Sequence, residues 1–470
     1  MNSPSVDAPV VAPADAVMRG GELPRPSVGL GAAADPRRPR IAYVSYSTGQ
    51  YDARTIRMAR SAIAAGYDVT VYARWYPGLP VTEERGGYRL VRAPWDWRLA
   101  VPGLRGAARQ RLARAMAGPP TTAAGGAGGE EPLALPGWTG RSVAGRFRRW
   151  RRIVRFFPLY PLGWAAALAE RAEPADIWHG MWAGSLPALA RLRRRHGGRT
   201  IYDSRDIYME SRDQADAGMP GKAILERLER HWAQAADRVM TVNASYADLL
   251  VRQLHVPPPI VVMNCPERWT PPSPRPNRIR EALGLPLETA VVLYQGGLMS
   301  ERGIEQAMEA ILDVPGAVLC LMGFGRLSES LAVACSIPRY VGRVMLLPPV
   351  PPDELLEWTA SADVSVMAIQ PTSVNHLFTT PQKLFESLAA GVPVVASDLP
   401  GMAGLVRGAG VGLLCDPTSA SAIAAAVREI LTAPVEARER QRAHVLRVAH
   451  ERFTWEGQSA ALLDLYRDLL

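Results

Sequence analysis

Two side chains, Lys383 and Glu386, lie three positions apart in a segment whose residue types could bind a charged sugar derivative. A carboxylate near the first turn of a helix can accept two hydrogen bonds from a ribose diol, and the free N–H groups of that turn can face a diphosphate. Of 54 basic residues only Lys222 and Lys383 are lysines, so this lysine indicates a need for a compact ammonium group. The segment therefore predicts a site for a nucleotide sugar.

A short helix followed by a buried strand must position these two side chains. Pro381 suits the start of a helix, the apolar residues that follow have helical spacing, and Gly391 suits its end. Residues 392–396 then read as a parallel strand that is buried on both faces.

The motif Pro381-Gln-Lys-Leu-Phe-Glu386 resembles the signature of family 4 of the retaining glycosyltransferases, in the branch that reads Pro-Asn-Lys-Leu-Phe-Glu. Further motifs occur in the order of that family, and together they cover roughly residues 40 to 460. The resemblance implies an α/β protein of the GT-B fold, with two Rossmann-like doubly wound domains that face each other across a cleft. The further motifs are Asp52-Ala-Arg54 with Arg57, Tyr294-Gln-Gly-Gly-Leu298 with Arg302-Gly303, and Leu321-Met-Gly-Phe-Gly325.

The chain departs from the family pattern at several positions that bear on the site. Phe378 stands where the family has the first of two glutamates, Met181 where it has a second histidine, and Arg205 where it has another histidine. Asn375 and His376 lie on a predicted loop at the place of the sugar-facing contact, and they are candidates to replace the missing glutamate. The alternative is that they only cap the loop.

The donor site that the resemblance implies lies in the second domain. Arg302 would hold the leaving diphosphate together with Lys383, and Glu386 would bind the ribose. Glycines at the ends of two strands would let the backbone approach the phosphates, although a glycine pair after a strand is often only a tight turn. The further donor-binding candidates are Gln295, Gly296, Gly297, Gly323, Gly325 and Leu384.

The first domain carries the candidates for the acceptor side. His179 is predicted at the end of a strand and resembles the family's catalytic histidine, but a histidine between tryptophans is also typical of a packed core. Asp203 and Asp206 resemble a later acidic element. Asp52 and Arg54 follow the first strand, where they could bind a phosphate or the acceptor, or simply pair with each other.

The alternation of strand and helix patterns predicts two doubly wound units. The first 38 residues lack aromatic residues and carry no positively charged leader, so we interpret them as a disordered tail. Five prolines between residues 265 and 277 indicate a linker. The predicted organisation is a tail at 1–38, an acceptor-binding domain at 39–266, a nucleotide-sugar-binding domain at 267–455, and a returning helix at 456–470.

The cysteine pattern and one basic segment bear on location. The four cysteines are scattered, which favours a reducing cytosol and no metal cluster.

Residues 141–157 contain seven arginines and no acid, interleaved with aromatic residues. This pattern predicts a basic amphipathic helix that attaches to an anionic inner membrane surface, or else a packed helix with a solvated arginine face. No stacking platform accompanies the charge, so we expect no nucleic-acid partner.

The resemblance implies a metal-independent, retaining transfer of a sugar from a nucleoside diphosphate to an acceptor hydroxyl. We expect no metal requirement, because no Asp-x-Asp motif stands beside the donor loop, and no cofactor besides the nucleotide sugar as co-substrate. The acceptor would be a glycan, a lipid-linked precursor or a small molecule such as a secondary metabolite. Two alternatives stay open at this point: a sugar-nucleotide epimerase on the same fold, and a non-catalytic nucleotide-binding scaffold.

Overall fold

The computed structural model describes residues 38–50, 52–95, 100, 158–210 and 219–470. The predicted tail up to residue 37 and the basic segment 141–157 lie outside the described residues.

Within the described ranges, eight strands form a first sheet in the order β3-β4-β2-β1-β5-β6-β7-β8. Neighbouring strands are parallel, except that β3 and β4 are antiparallel. Helices follow most of the parallel strands and cover the sheet, which is why β1 and β5 are buried almost throughout. The strands are β1 (Arg40–Ser45), β2 (Asp68–Arg74), β3 (Thr82–Arg85), β4 (Tyr88–Ala93), β5 (Ile177–Met181), β6 (Arg199–Ser204), β7 (Arg238–Thr241) and β8 (Ile260–Val261). The helices are α1 (Ala53–Ala64), α2 (Tyr160–Ala169), α3 (Leu186–His196), α4 (Met219–Gln234) and α5 (Ala244–Leu254).

Six parallel strands form a second sheet in the order β11-β10-β9-β12-β13-β14 in the part of the chain that is described. They are β9 (Ala290–Gly297), β10 (Ala317–Phe324), β11 (Val344–Leu347), β12 (Val364–Met367), β13 (Val394–Ser397) and β14 (Gly412–Cys415). The helices are α6 (Arg278–Leu283), α7 (Ile304–Leu312), α8 (Ser328–Cys335), α9 (Leu355–Ala360), α10 (Val374–Phe378), α11 (Gln382–Ala389), α12 (Pro400–Ala409), α13 (Ala420–Thr432), α14 (Val435–Arg452) and α15 (Trp455–Leu469).

The last helix, α15, packs on the first sheet rather than on the second. Its residues Trp455 and Tyr466 are buried in one cluster with Tyr43 of β1 and Met58 of α1. The Trp455 indole N–H donates to the hydroxyl of Ser61 at 2.9 Å, and the hydroxyls of Tyr43 and Tyr466 lie 2.9 Å apart. Within the described residues, the chain therefore passes from the first sheet to the second at the proline-rich linker and returns between α14 and α15.

The edge hairpin of β3 and β4 is an element that the strand and helix patterns did not predict. Its turn is formed by Gly86 and Gly87, which both have positive φ angles of 56° and 87°. Such a two-residue turn with two left-handed positions is typical of a tight β-hairpin, so the glycine pair is the signal that could have revealed it.

The α/β fold class with two parallel sheets, predicted from the sequence, is confirmed. No helix among the described residues is both long enough and apolar enough to span a membrane.

Candidate active site

Helix α11 presents Lys383 in its first turn. Pro381 precedes the helix in an extended conformation, and Gly391 follows it with φ 67°, as the sequence predicted. The Nζ atom of Lys383 is buried, makes no hydrogen bond within the described residues, and lies 3.7 Å from the centroid of the Tyr294 ring. Burial, together with the charge of Arg302, lowers the pKa of Lys383 to about 7. An anion that binds here would gain a hydrogen-bond donor that is otherwise unused.

Arg302 lies just before helix α7, at the carboxyl edge of the second sheet. Gly303 follows it with φ 73°, and a Cβ atom there would lie 1.9 Å from the carbonyl oxygen of Ala368, so only glycine fits. Arg302 forms no ion pair with any described carboxylate, and its charge acts on Lys383. Two cations thus stand close together near the N-termini of α7 and α11, where helix dipoles also favour an anion.

Glu386 lies one turn further along α11, with 8% of its surface exposed. Its Oε2 accepts a hydrogen bond from Gln295 Nε2 at 2.8 Å, and its Oε1 accepts one from Gln382 Nε2 at 2.6 Å. Thr359 donates in turn to Gln295 Oε1 at 2.7 Å. Burial raises the pKa of Glu386, and the two amide hydrogen bonds oppose that shift. The carboxylate is therefore held in place, and its remaining lone pairs can accept hydrogen bonds from hydroxyl groups.

The glycines beside the site have two different roles. Strand β9 continues through Gly296 and Gly297, so these glycines do not form the tight turn that often follows a strand. Both of these glycines are exposed, and an added Cβ at Gly296 would meet nothing within 4 Å. By contrast, a Cβ at Gly323 would lie 2.0 Å from the carbonyl oxygen of Gly296, and one at Gly325 would lie 2.2 Å from that of Leu298. The second pair is thus needed for strand packing, while the first leaves backbone open to a ligand.

Leu384 does not line the site. It is fully buried in the cluster beneath α11, together with Phe385 and Leu388. Its assignment as a donor-binding residue is wrong because the helical spacing turns it towards the core.

Asn375 and His376 lie in helix α10, capped by Ser373, and not on the predicted loop. Asn375 Oδ1 accepts hydrogen bonds from the backbone N–H of Ile207 at 2.9 Å and from the hydroxyl of Tyr246 at 2.7 Å. His376 Nδ1 lies 3.0 Å from the hydroxyl of Thr372. The Asn375 side chain is therefore directed to the first domain and does not replace the missing glutamate.

Phe378, at the position of the missing glutamate, packs against the hydrophobic core of the first domain, as does Val374 one turn earlier. The carbonyl oxygen of Phe378 accepts a hydrogen bond from Asn243 Nδ2 at 3.0 Å. Helix α10 therefore joins the two domains, and an apolar side chain at this position has a structural reason.

Four charged residues of the first domain form a buried network beside the ends of β1 and β6. Arg54 Nε donates to Asp203 Oδ2 at 3.1 Å, and Arg205 donates to both Asp203, at 3.2 Å, and Asp52, at 2.7 Å. Asp52 also caps α1 through the Thr55 N–H at 3.1 Å. Arg54 and Asp203 are 2% and 0% exposed, so these two residues are not open to an acceptor. The structure therefore does not favour direct acceptor contacts for Arg54 and Asp203; the ion pairs of the network hold the loops in place.

His179 lies in the middle of β5, which continues to Met181, and not at its end. It is fully buried, its Nδ1 lies 2.8 Å from the Tyr466 hydroxyl, and Tyr43 packs on the other side at 5.4 Å between ring centroids. Burial lowers its pKa to about 3. Helix α15 covers His179, so the structure does not support direct contact with a substrate, and the catalytic role of His179 stays a prediction.

Asp206 is the acidic candidate that does face the second domain. Its Oδ1 accepts a hydrogen bond from Asn375 Nδ2 at 3.3 Å. Burial raises its pKa, while the Asn375 hydrogen bond and the charge of Arg302 oppose the shift. Asp206 of the first domain and Arg302 of the second domain are therefore close enough for the charge of Arg302 to act on the Asp206 carboxyl group.

A chain of polar side chains from the first domain to Glu386 was not predicted as part of the site. Arg57 of α1 donates to Asn264 Oδ1 at 2.5 Å, Asn264 Nδ2 donates to Gln382 Oε1 at 3.0 Å, and Gln382 bonds Glu386. One sequence feature could have predicted this chain of side chains: Asn264 is a polar residue directly after an apolar strand pattern, at the end of the first domain.

The two helix-covered parallel sheets, the proline-rich linker and the returning C-terminal helix define the GT-B class of fold. Sucrose-phosphate synthase from Thermosynechococcus elongatus aligns with 92% of this chain and 99% of its own, with a TM-score of 0.62 at 18% identity. Anabaena HepE, solved in complex with UDP, aligns with 91% of this chain and 100% of its own, with a TM-score of 0.59 at 15% identity. At these identities the likeness shows the fold alone.

Residues 289–433, which carry Arg302, Lys383 and Glu386, match the family described as Glycosyl transferases group 1. This part of the chain is therefore similar to the group 1 glycosyl transferases. The D-inositol 3-phosphate glycosyltransferase of Xylanimonas cellulosilytica is 29% identical over 257 residues, which are 51% of this chain and 58% of that protein. The lipopolysaccharide core biosynthesis glycosyltransferase LpsE of Rhizobium meliloti is 26% identical over 191 residues, 41% of this chain and 52% of that protein. The matches thus span about half to three fifths of these relatives.

Proposed function

We propose that the protein is a glycosyltransferase that moves a sugar from a nucleoside diphosphate sugar to an acceptor hydroxyl with retention of anomeric configuration. The observation that carries the proposal is the pair Arg302 and Lys383, two neighbouring cations without a carboxylate partner among the described residues. The group 1 glycosyl transferase domain around them supports it.

The leaving diphosphate carries the charge that this reaction must stabilise. Arg302 and the N-terminus of α7 would bind one part of it, and Lys383 with the free N–H groups of α11 would bind the other. Because an anion favours the charged form of a lysine, binding would raise the pKa of Lys383 from about 7. Glu386 would accept hydrogen bonds from the ribose hydroxyls.

The acceptor would enter from the side of the first domain, where Asp206 faces Arg302. In a retaining transfer the acceptor hydroxyl attacks the face from which the diphosphate departs, and the departing phosphate can take its proton. Glycans, lipid-linked precursors and small molecules all remain candidate acceptors. The proposal includes no metal requirement, and activity that is lost with a chelator and restored by manganese would contradict that part.

Transfer can be tested by incubating the protein with UDP-, GDP- and dTDP-sugars and following nucleotide release and the anomeric proton of the product by NMR. We expect release of a nucleoside diphosphate and an α-configured product from an α-configured donor. Lys383→Ala should lose most of the activity, whereas Lys222→Ala should retain it, because Lys222 pairs with Glu210 at 2.8 Å in the first domain. Interconversion of the donor sugar without nucleotide release would indicate an epimerase, and binding without any reaction would indicate a scaffold.

We also propose that residues 141–157 attach the protein to an anionic membrane surface. The seven arginines and interleaved aromatic residues of that segment support this, since each cation near an anionic surface contributes about 1 kcal/mol. Flotation with anionic liposomes should occur and should be lost on replacing Arg148, Arg149, Arg151 and Arg152 with serine. An absence of flotation of the unaltered protein would contradict the attachment.

A further inference from the structure

A cavity of about 690 Å³ lies in the second domain, away from Lys383. Its wall includes Asp363, Pro393 and Gly412, which directly precede or begin β12, β13 and β14. Because the strands are parallel, these residues mark the amino edge of the sheet, whereas Arg302 and Lys383 lie at the carboxyl edge. The cavity is therefore separate from the candidate active site.

Arginines from two distant parts of the chain converge on one wall of this cavity. Arg275 of the linker and Arg280 of α6 both pair with Asp363, Arg275 at 3.1 Å. Arg442 of α14 donates to the carbonyl oxygens of Ala362 at 3.0 Å and Ala360 at 3.2 Å. Arg275 donates to the same Ala360 oxygen at 2.8 Å, so the two guanidinium groups are close neighbours.

The positive charge at this wall exceeds the negative charge that is bound to it. Three guanidinium groups surround one carboxylate, that of Asp363. Burial, together with the neighbouring charge of Arg275, lowers the pKa of Arg442 to about 10, while Asp363 and the nearby Glu439 oppose the shift. Glu429 and Glu439 also line the cavity, but neither forms an ion pair with a described residue.

Arg438 adds a hydrogen-bond donor that has no partner. It lies one turn before Arg442 on the same face of α14 and lines the cavity. Its Nε atom is buried and makes no hydrogen bond within the described part of the chain. A buried N–H group without a partner is costly, so a ligand that accepts this hydrogen bond would be favoured.

We propose that this cavity binds a small molecule that bears a phosphate group, with Arg438 and Arg442 as the residues that contact the phosphate. Guanidinium groups match phosphate oxygens in charge and geometry, and the volume suits a ligand the size of a sugar phosphate. The wall joins the linker to α14, so the ligand would bridge the two segments that lead from one domain to the other. The inference does not depend on the proposed function.

Calorimetry with ribose 5-phosphate tests the site, with ribose as the uncharged control and with UDP present to occupy the candidate active site. We expect saturable binding of ribose 5-phosphate and none of ribose. Arg438→Gln should weaken binding by about tenfold or more, because one charged donor is lost. Arg438 makes no hydrogen bond through Nε, so the variant should fold.

Arg440→Gln is the matched control, since Arg440 is an exposed residue of the same helix and the change in charge is identical. It should bind as the unaltered protein does, and so should Lys383→Ala. Equal binding by Arg438→Gln, equal binding of ribose, or no binding of ribose 5-phosphate at millimolar concentration would overturn the proposal. Loss of binding in Lys383→Ala alone would place the phosphate in the active site instead and would overturn it as well.

Discussion

The side-chain amide of Asn375 reaches across the domain interface to the carboxylate of Asp206, with Nδ2 3.3 Å from Oδ1. The same amide also accepts hydrogen bonds from Ile207 and Tyr246, so one side chain of the second domain binds three groups of the first. The contacts give the short helix α10, which contains both Asn375 and Phe378, a structural role in joining the two domains.

Asn375→Ala should loosen the domain interface. Three hydrogen bonds are lost and Asp206 stays without its amide partner, so we expect the free energy of unfolding to fall by about 1–3 kcal/mol. The radius of gyration measured by small-angle X-ray scattering should rise. Asn277→Ala is the control, because Asn277 contacts Arg280 within the second domain. An unchanged radius and stability for Asn375→Ala would contradict the role of the amide.

His179 should affect stability and its pH dependence more than turnover. Its pKa is about 3 in the folded protein and near 6.5 when unfolded, so the unfolded chain binds the extra proton first. As the pH falls from 6.5 to about 3, this residue should therefore lower the free energy of unfolding by about 1.4 kcal/mol for each pH unit.

In His179→Phe that contribution disappears, while sugar transfer at pH 7.5 should stay within about tenfold of the original, since the residue is covered by α15. Urea unfolding at pH 4.5 and 7.5 measures the first effect. A loss of turnover by several orders of magnitude in a folded variant would restore His179 as a catalytic candidate.

Glu229 is a buried acid of α4, 3% exposed, that accepts a hydrogen bond from the Tyr202 hydroxyl at 3.0 Å. Burial raises its pKa from 4.5 to about 7, so the folded protein holds the proton more tightly than the unfolded chain. Its contribution to stability is thus favourable at low pH and is lost as the pH rises from 4.5 to 7.

Glu229→Gln keeps the shape and removes the titration. Relative to the unaltered protein, the variant should gain up to about 3 kcal/mol between pH 5 and pH 8. Chemical unfolding at the two pH values measures this difference. Glu226→Gln is a comparison on the same helix: Glu226 is more exposed, and its charge is only a lesser cause of the raised pKa of Glu229, so the change should be small. Equal pH dependence in Glu229→Gln and the unaltered protein would contradict the buried-acid account.

Lys383 should make nucleoside diphosphate binding depend on pH. With a pKa of about 7 in the free protein, the ammonium form is present below pH 7 and is lost above it. UDP affinity should therefore decline by up to about tenfold per pH unit between pH 7.5 and 9, and this decline should be absent in Lys383→Met. Calorimetry across this range checks both curves. Parallel curves for the two proteins would show that Lys383 does not bind the diphosphate.

The alternation of patterns predicted most strands of both sheets, because parallel strands buried on both faces are continuous apolar runs. It missed the β3–β4 hairpin, whose edge strand alternates in exposure, and helix α10, whose five residues are too few for a helical period. Arg302 and Lys383 could be named from the sequence because both lie in motifs that resemble those of a known family.

The burial of three first-domain candidates could not be predicted from the sequence. Arg54, Asp203 and His179 are polar residues near strand ends, and sequence position alone does not reveal that other segments cover them. Arg54 pairs with Asp203, and His179 packs against Tyr466; in both cases the two residues lie far apart in the chain and come together only in the fold.

Calorimetric titration of UDP, GDP and dTDP without added metal, into the unaltered protein and into Arg302→Ala, tests the central claim most directly. We predict micromolar binding of one nucleoside diphosphate and a loss of about 1.5–3 kcal/mol in the variant, as for a lost hydrogen bond to a charged group. Arg326→Ala serves as the matched control, because Arg326 follows the neighbouring strand without contacting Lys383, and it should bind as tightly as the unaltered protein. Failure of all three nucleotides to bind, or equal binding by Arg302→Ala, would contradict a donor site at Arg302 and Lys383.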